Sequence, residues 1–89
     1  MALEMLYFAW VREAIGRDGE RVEPPAEVTT VTALLDWLAA GSDGHARAFA
    51  DRSRLRAAID QEFAALDTSL AGAREVAIFP PVTGGSGAA

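Results

Sequence analysis

The 89-residue sequence has no cysteine, no lysine and a single histidine, His45. Without cysteine, the chain cannot form a disulfide or a thiolate metal site. His45 has no second histidine or cysteine with which to share a metal ion, and protein metal sites need several such ligands. We therefore expect no metal site and no bound cofactor, and we expect His45 to be a solvated side chain.

Long hydrophobic runs and clusters of positive charge are also missing. No apolar run approaches the roughly 18 residues of a membrane-spanning helix, and no basic-then-apolar leader opens the chain. The net charge is −5, whereas nucleic-acid binding requires clustered lysine and arginine. We expect a cytoplasmic protein that binds neither nucleic acid nor a membrane.

The composition that remains is typical of a small folded domain. Hydrophobic residues make up 51% of the chain, too many for a disordered protein, and 89 residues are enough for one domain but not for two. We assign residues 1–81 to that domain and residues 82–89 to a flexible C-terminal tail.

The beginning of the chain predicts two strands joined by a short helix. Leu3 to Phe8 is typical of a strand, and Ala9 to Ile15 indicates a short helix ended by Gly16. Glu20 to Glu23 is expected to pair back as the second strand. Because side chains alternate along a strand, the first strand should turn three residues to the core: Leu3, Met5 and Tyr7.

The middle of the chain predicts the main helix. Thr30 is a good N-cap because its hydroxyl can accept a free first-turn N–H, and Gly41 should end the helix. One apolar stripe recurs at helical spacing, formed by Val31, Leu34, Leu35 and Leu38. A second short helix is weakly indicated over residues 42–51, with Ala46, Phe49 and Ala50 as its packing side.

The last part of the chain predicts three more strands. Their expected ranges are Leu55–Asp60, Phe63–Ala65 and Arg74–Phe79, and Leu70 between them should plug the core. Two strands followed by an amphipathic helix open a β-grasp domain. We therefore predict an α+β fold of the β-grasp, ubiquitin-like type, with a mixed sheet of four to five strands, one main helix across it and short extra helices.

The same alternation predicts a second apolar surface on the far side of the sheet. It should contain Leu6, Phe8 and Phe79, together with Phe63 of the fourth predicted strand. An exposed aromatic patch of this kind usually marks an interaction site, unless a loop or the second short helix covers it.

The C-terminal segment is the most distinctive part of the sequence. It runs Phe79-Pro80-Pro81-Val82-Thr83-Gly84-Gly85 after an apolar strand. The two prolines cannot donate to a sheet and they fix φ, so they should stop strand pairing and stiffen the base of the tail. The two glycines carry no side chain that could clash in a narrow channel.

This segment resembles the C-terminus of the small, sulfur-carrying subunit of molybdopterin synthase, a ubiquitin-like family. Tyr7 to Gly16 is similar to that family's first strand and short helix, and Leu55 to Leu70 is similar to its third and fourth strands. The resemblance thus covers nearly the whole chain, from Leu3 to Gly85, and the C-terminal motif is its specific part.

The resemblance implies a sulfur carrier in molybdenum cofactor biosynthesis. An E1-like adenylating enzyme would activate the carboxyl of Gly85, next to Gly84, as an adenylate, and a sulfur donor would convert it to a thiocarboxylate that supplies sulfur to the pterin precursor. The large synthase subunit would bind the aromatic face and the tail, in a heterotetramer. Carried over by position, the partner-binding residues are Phe8, Arg12, Phe63, Phe79, Pro80, Pro81, Val82 and Thr83.

The sequence departs from this family at its end, because Ser86-Gly87-Ala88-Ala89 follow Gly85. While they are attached, Gly85 has no free carboxyl. Three explanations remain open: a processing peptidase removes residues 86–89, the extension is an artefact of the sequence used, or the protein has lost carrier activity and kept its binding face.

Two alternative functions also remain open. The chain could carry sulfur for another pathway, such as thiamine synthesis, cysteine synthesis or tRNA thiolation, although the Phe-Pro-Pro-Val-Thr stretch disfavours this. It could also be a non-catalytic binding module that uses only the aromatic face. The sequence contains no nucleophile–histidine pair and no phosphate-binding glycine loop, so it predicts no active site of its own.

Overall fold

The computed structural model describes residues 2–81. The predicted tail, residues 82–89, lies outside the described residues. The strands are β1 (Leu3–Tyr7), β2 (Gly19–Val22), β3 (Arg56–Ile59), β4 (Glu62–Ala64) and β5 (Glu75–Phe79). The helices are α1 (Ala9–Ile15), α2 (Val31–Gly41) and α3 (Asp43–Ala48), with a single 3₁₀ turn at Arg52–Arg54.

The five strands form one mixed sheet in the order β2-β1-β5-β3-β4. The two central strands, β1 and β5, run parallel, and the other neighbouring pairs are antiparallel. This is the predicted β-grasp arrangement. Because β1 and β5 are parallel, the start of α1 and the segment that leaves β5 lie at the same end of the sheet, which we call the tail end.

The core lies between one face of this sheet and the helices. The inward residues of β1 are fully buried, as their alternation predicted, and so is the whole apolar stripe of α2 except for a slight exposure of Leu38. Leu70 is buried as the predicted plug. The sheet face that these residues cover is therefore closed, and only the opposite face is open to a partner.

Local signals end and begin the helices where the sequence predicted. The hydroxyl of Thr30 accepts a hydrogen bond from the N–H of Ala33 at 3.1 Å, which caps α2. Gly16 closes α1 with φ +93°, a left-handed conformation that a residue with a Cβ adopts only with strain.

The β3–β4 hairpin turns one residue earlier than the predicted strand bounds imply. Its two-residue loop, Asp60-Gln61, has φ of +50° and +73°, the backbone of a type I′ turn that usually holds Asn-Gly. Asp60 Oδ1 accepts hydrogen bonds from the backbone N–H groups of Arg74 and Glu75, at 3.0 and 2.9 Å. This carboxylate therefore ties the hairpin loop to the start of β5.

Two predictions about the region after α2 are wrong. His45 is only 9% exposed, not solvated, and Ala46 and Ala50 are exposed rather than packed. The side of α3 that faces the core consists of His45 and Ala48, followed by Phe49. The buried side of α3 is shifted by one residue from the predicted side. The Ser42 hydroxyl accepts a hydrogen bond from the N–H of His45, and this cap fixes the residue at which α3 begins.

Within residues 2–81, no helix is both long and apolar enough to cross a bilayer. The longest helix of this part of the chain, α2, has 11 residues.

Candidate docking face and base of the tail

The open face of the sheet carries a continuous apolar patch, which we call the docking face. Strand register brings its members together across four strands, because Leu6 pairs with Ala77, Ala77 with Ala58, and Ala58 with Phe63. Phe8 and Phe79 extend it to the tail end. The members of the docking face are therefore Leu6, Phe8, Ala58, Phe63, Ala77 and Phe79.

Two aromatic rings of the docking face are open to solvent. Phe63 is 87% exposed and Phe8 is 47% exposed. The rings of Phe63 and Phe79 lie 5.8 Å apart, tilted at 43°, and line a shallow open groove of about 400 Å³ with Arg56, Ala57, Ala64 and Ala65. Neither a loop nor α3 of the described chain covers this face, since α3 packs against α1 and α2.

Phe8 is held by the backbone on both sides. Its N–H donates to the carbonyl of Ile78 at 3.3 Å, and its own carbonyl accepts from the N–H groups of Val11 and Arg12. The next residue, Ala9, has φ +55°, a conformation that costs a residue with a Cβ about 1–2 kcal/mol. This strained turn starts α1 directly after Phe8.

Arg12 lies in α1 one turn after Phe8 and is exposed. Its backbone N–H contacts the Phe8 carbonyl at 3.4 Å, and its carbonyl accepts the capping N–H of Gly16. The predicted polar anchor is therefore placed at the tail end, beside the docking face.

The base of the tail leaves the sheet at the same place. β5 ends at Phe79, and Pro80 and Pro81 are half-buried after it. The other predicted site residues, Val82, Thr83, Gly84 and Gly85, lie outside the described residues. Of the predicted site, the structure thus brings together Phe8, Arg12, Phe63, Phe79, Pro80 and Pro81 at one face and one end of the sheet.

Sequence reasoning missed a polar cluster in the core, which connects α3 to the antiparallel strands β1 and β2. Glu20 Oε2 accepts a hydrogen bond from the Tyr7 hydroxyl at 2.7 Å and lies 2.6 Å from His45 Nε2. Arg17 donates to the other oxygen, Oε1, at 3.2 Å. No periodic signal could have revealed the cluster, because Glu20 and His45 are 25 positions apart.

The environment of this cluster shifts the pKa of two of its members. Burial raises the pKa of Tyr7, and the hydrogen bond to Glu20 raises it further. Burial alone would raise the pKa of Glu20, but the hydrogen bonds from Tyr7 and His45 outweigh it and hold that pKa below its usual value. The cluster therefore holds Glu20 as a carboxylate in contact with Tyr7 and His45, a structural clip rather than a reactive group.

No metal centre emerges from the described part of the chain. Among residues 2–81, no three histidine, aspartate or glutamate side chains converge in a way that could hold a metal ion. The chemically useful features are the docking face and the tail end of the sheet, where Pro80 and Pro81 follow β5.

Comparison with known sequences gives a match over almost the whole chain. Residues 5–85 match the ThiS family. The chain is 45% identical over 83 residues to the molybdopterin synthase sulfur carrier subunit of Escherichia coli (strain K12), covering 93% of this chain and 99% of that protein. The subunit of the same name from Haemophilus influenzae is 37% identical over 83 residues, with the same coverage.

Solved structures share the fold. The crystal structure of SAMP1 from Haloferax volcanii superposes with a TM-score of 0.72 at 31% identity, covering 96% of this chain and 100% of that chain. The solution structure of the HVO 2177 protein from Haloferax volcanii gives a TM-score of 0.61 at 29% identity, covering 96% of this chain and 87% of that chain.

Proposed function

The chain belongs to the ThiS family, and we propose that it is the sulfur-carrier subunit of a molybdopterin synthase. The observation that carries this proposal is the extent of the match: the part of the chain that matches the family runs to Gly85, the second glycine of the tail. Two relatives that carry the sulfur-carrier name align along 99% of their own length. The carrier site that we propose is the carboxyl group of Gly85, exposed after residues 86–89 are removed by a peptidase.

The proposed chemistry uses the carboxyl group and no side chain. A carboxylate is a poor electrophile, so an E1-like enzyme first joins a Gly85 oxygen to the α-phosphate of ATP and releases pyrophosphate. A sulfur donor then delivers sulfide to the acyl carbon, and AMP leaves with the bonding electrons and the oxygen. The product is a thiocarboxylate, whose ionised sulfur attacks an electrophilic carbon of the pterin precursor and displaces an oxygen substituent from it. Hydrolysis of the resulting thioester cleaves the acyl carbon–sulfur bond, which leaves the sulfur on the pterin and returns Gly85 to its carboxylate. Two carriers supply the two sulfurs.

In this proposal the docking face seats the large subunit, and the tail enters its active site. Four residues, from Val82 to Gly85, span at most about 14 Å of extended chain. The large subunit's cavity must therefore open close to the tail end of the sheet, where β5 ends. Phe8, Arg12, Phe63 and Phe79 would hold the carrier in place, while Pro80 and Pro81, with φ already fixed, reduce the entropy lost when the tail is ordered. A heterotetramer in the cytoplasm, with one carrier on each of two large subunits, is the assembly we expect.

The decisive experiment compares two chains that differ only after Gly85. One ends at Gly85 and the other continues to Ala89; each is incubated with the adenylating enzyme, ATP and a sulfur donor, and intact mass is measured. We expect only the chain ending at Gly85 to gain the mass difference between sulfur and oxygen, and only that chain to support molybdopterin formation with the large subunit.

A matched control keeps the length of the chain that ends at Gly85 and changes the residue before it. In a chain ending at residue 85, replacing Gly84 with valine leaves the carboxyl in place but adds a branched side chain, which should block entry into a narrow channel. In the native host, the mature protein should end at Gly85. If native chains all end at Ala89 and cofactor is still made, the proposal is wrong.

A further inference from the structure

Arginine side chains gather at the tail end of the sheet. Because β3 runs antiparallel to β5, it begins where β5 ends, and Arg56 is paired with Phe79. Arg54 lies two residues earlier, at the end of the 3₁₀ turn, and Arg12 lies one turn into α1, which begins at the same end of the sheet. In a chain with a net charge of −5, this is a local reversal of sign next to the docking face.

Arg56 lies on the docking face itself. It lines the groove with Phe63 and Phe79, and its Nη1 donates to the backbone carbonyls of Leu55 and Ser53, at 2.8 and 3.3 Å. These bonds hold the guanidinium in place while using only one of its nitrogens. The fork formed by Nε and Nη2 has no partner within residues 2–81, and such a fork fits a carboxylate through two parallel hydrogen bonds.

Arg54 is fixed by an aromatic ring instead. Its guanidinium carbon lies 4.6 Å from the ring centroid of Trp10, and Trp10 is itself packed against the core. The carboxylate of the nearby Asp51 accepts from the N–H and hydroxyl of Ser53. Those hydrogen bonds first, and then the charge of Arg54, lower the pKa of Asp51, although the two side chains form no ion pair. The charge of Arg54 is thus held at the surface in a defined position.

Three other arginines within residues 2–81 are already paired. Arg17, Arg21 and Arg52 each form an ion pair with a carboxylate. Arg54 and Arg56 form none within residues 2–81, although both are held in defined positions. Interfaces combine an apolar centre with a polar rim, and arginine is enriched among the residues that matter for binding.

We propose that Arg54 and Arg56 form a positively charged rim that selects the partner by charge. The large synthase subunit places an apolar patch on the docking face and presents carboxylates around that patch. One of these carboxylates binds Nε and Nη2 of Arg56. This inference rests on the proposed function and adds to it the chemistry of the partner surface. The rim would speed association and reject apolar surfaces that lack acidic residues.

The test measures binding of the full chain to the large subunit by stopped-flow and by surface plasmon resonance at several salt concentrations. Arg54→Glu and Arg56→Glu should each raise Kd by about tenfold or more, mainly through slower association, and should flatten the salt dependence. Arg47→Glu is the matched control, because Arg47 is an exposed arginine on α3, away from the docking face. It makes the same change of charge and should alter Kd less than about twofold.

Arg56→Lys distinguishes the effect of the two parallel hydrogen bonds from the effect of the positive charge. Lysine keeps the charge but cannot make two parallel bonds, so we expect near-normal association and several-fold faster dissociation. Reversals at Arg54 and Arg56 that behave like Arg47→Glu, in variants whose urea unfolding matches the parent, would overturn the rim while leaving the proposed function intact. If the parent chain itself fails to bind the large subunit, both are overturned.

Discussion

Replacing Phe63 with alanine should weaken binding to the large subunit while leaving the free domain almost as stable as before. Phe63 is 87% exposed, so its truncation removes little buried surface and leaves no cavity. The main intramolecular loss is its contact with the ring of Phe79, centred 5.8 Å away. A tilted aromatic pair of this kind is worth about 0.5–1.5 kcal/mol, and at this exposure we expect the lower end, about 0.5 kcal/mol.

The expected effect on binding is larger because the ring moves from water into the interface. Fully burying a phenylalanine side chain contributes about 1.5–3 kcal/mol. Since each 1.4 kcal/mol is a factor of ten in an equilibrium constant, Phe63→Ala should raise Kd by about 10- to 150-fold. The free energy of unfolding and the free energy of binding should therefore change by clearly different amounts.

Urea unfolding followed by circular dichroism and titration calorimetry with the large subunit measure the two quantities on the same samples. Leu70→Ala is the contrasting control, because Leu70 is fully buried and lies in the core rather than on the docking face. Its truncation should cost about 2–5 kcal/mol of stability, with little loss of affinity in the molecules that remain folded. An unchanged Kd for Phe63→Ala would refute the assignment of this face to the partner.

Two further predictions concern stability. The hydrogen bonds from Tyr7 and His45 lower the pKa of Glu20 in the folded state despite its burial. The stabilisation is therefore complete above the ordinary pKa of 4.5 and is lost as pH falls through the lower, folded-state pKa; urea unfolding between about pH 6 and pH 3 should show this loss, and Glu20→Gln should reduce the slope. Asp60→Ala should cost about 2 kcal/mol, because it removes the acceptor of two backbone N–H groups and places alanine at positive φ. Asp60→Asn, which keeps an amide oxygen and tolerates that φ, should cost under about 0.5 kcal/mol, and equal losses for the two variants would contradict the role given to the Asp60 oxygen.

Most of the fold could be predicted because it is specified by patterns and capping residues that act over only a few positions of the chain. Alternation in β1 and the apolar stripe of α2 each identified a buried face correctly, and Thr30 and Gly16 mark helix ends by chemistry that acts within a few residues. The docking face followed from the same alternation. Strand ends differ from expectation by one residue or so, because pairing with the neighbouring strand decides where a strand stops.

The error at His45 has a different origin. Its sequence neighbours, Asp43 and Gly44, are typical of a solvated turn, and nothing local indicates burial. The residue is buried because Glu20, on a distant strand, offers a carboxylate at 2.6 Å. The defined positions of Arg54 and Arg56 could not be predicted from the sequence either. The position of Arg54 depends on the ring of Trp10, and that of Arg56 depends on two backbone carbonyls.

The position of β5 has a consequence for how the protein is made. This strand occupies the centre of the sheet, yet it is encoded after the other four. A nascent chain that has emerged only as far as Gly72 holds two separate antiparallel strand pairs, each with an unpaired edge that could capture another strand. The domain can therefore close only after β5 has emerged, and a ribosome that stalls before Glu75 leaves a product prone to aggregate.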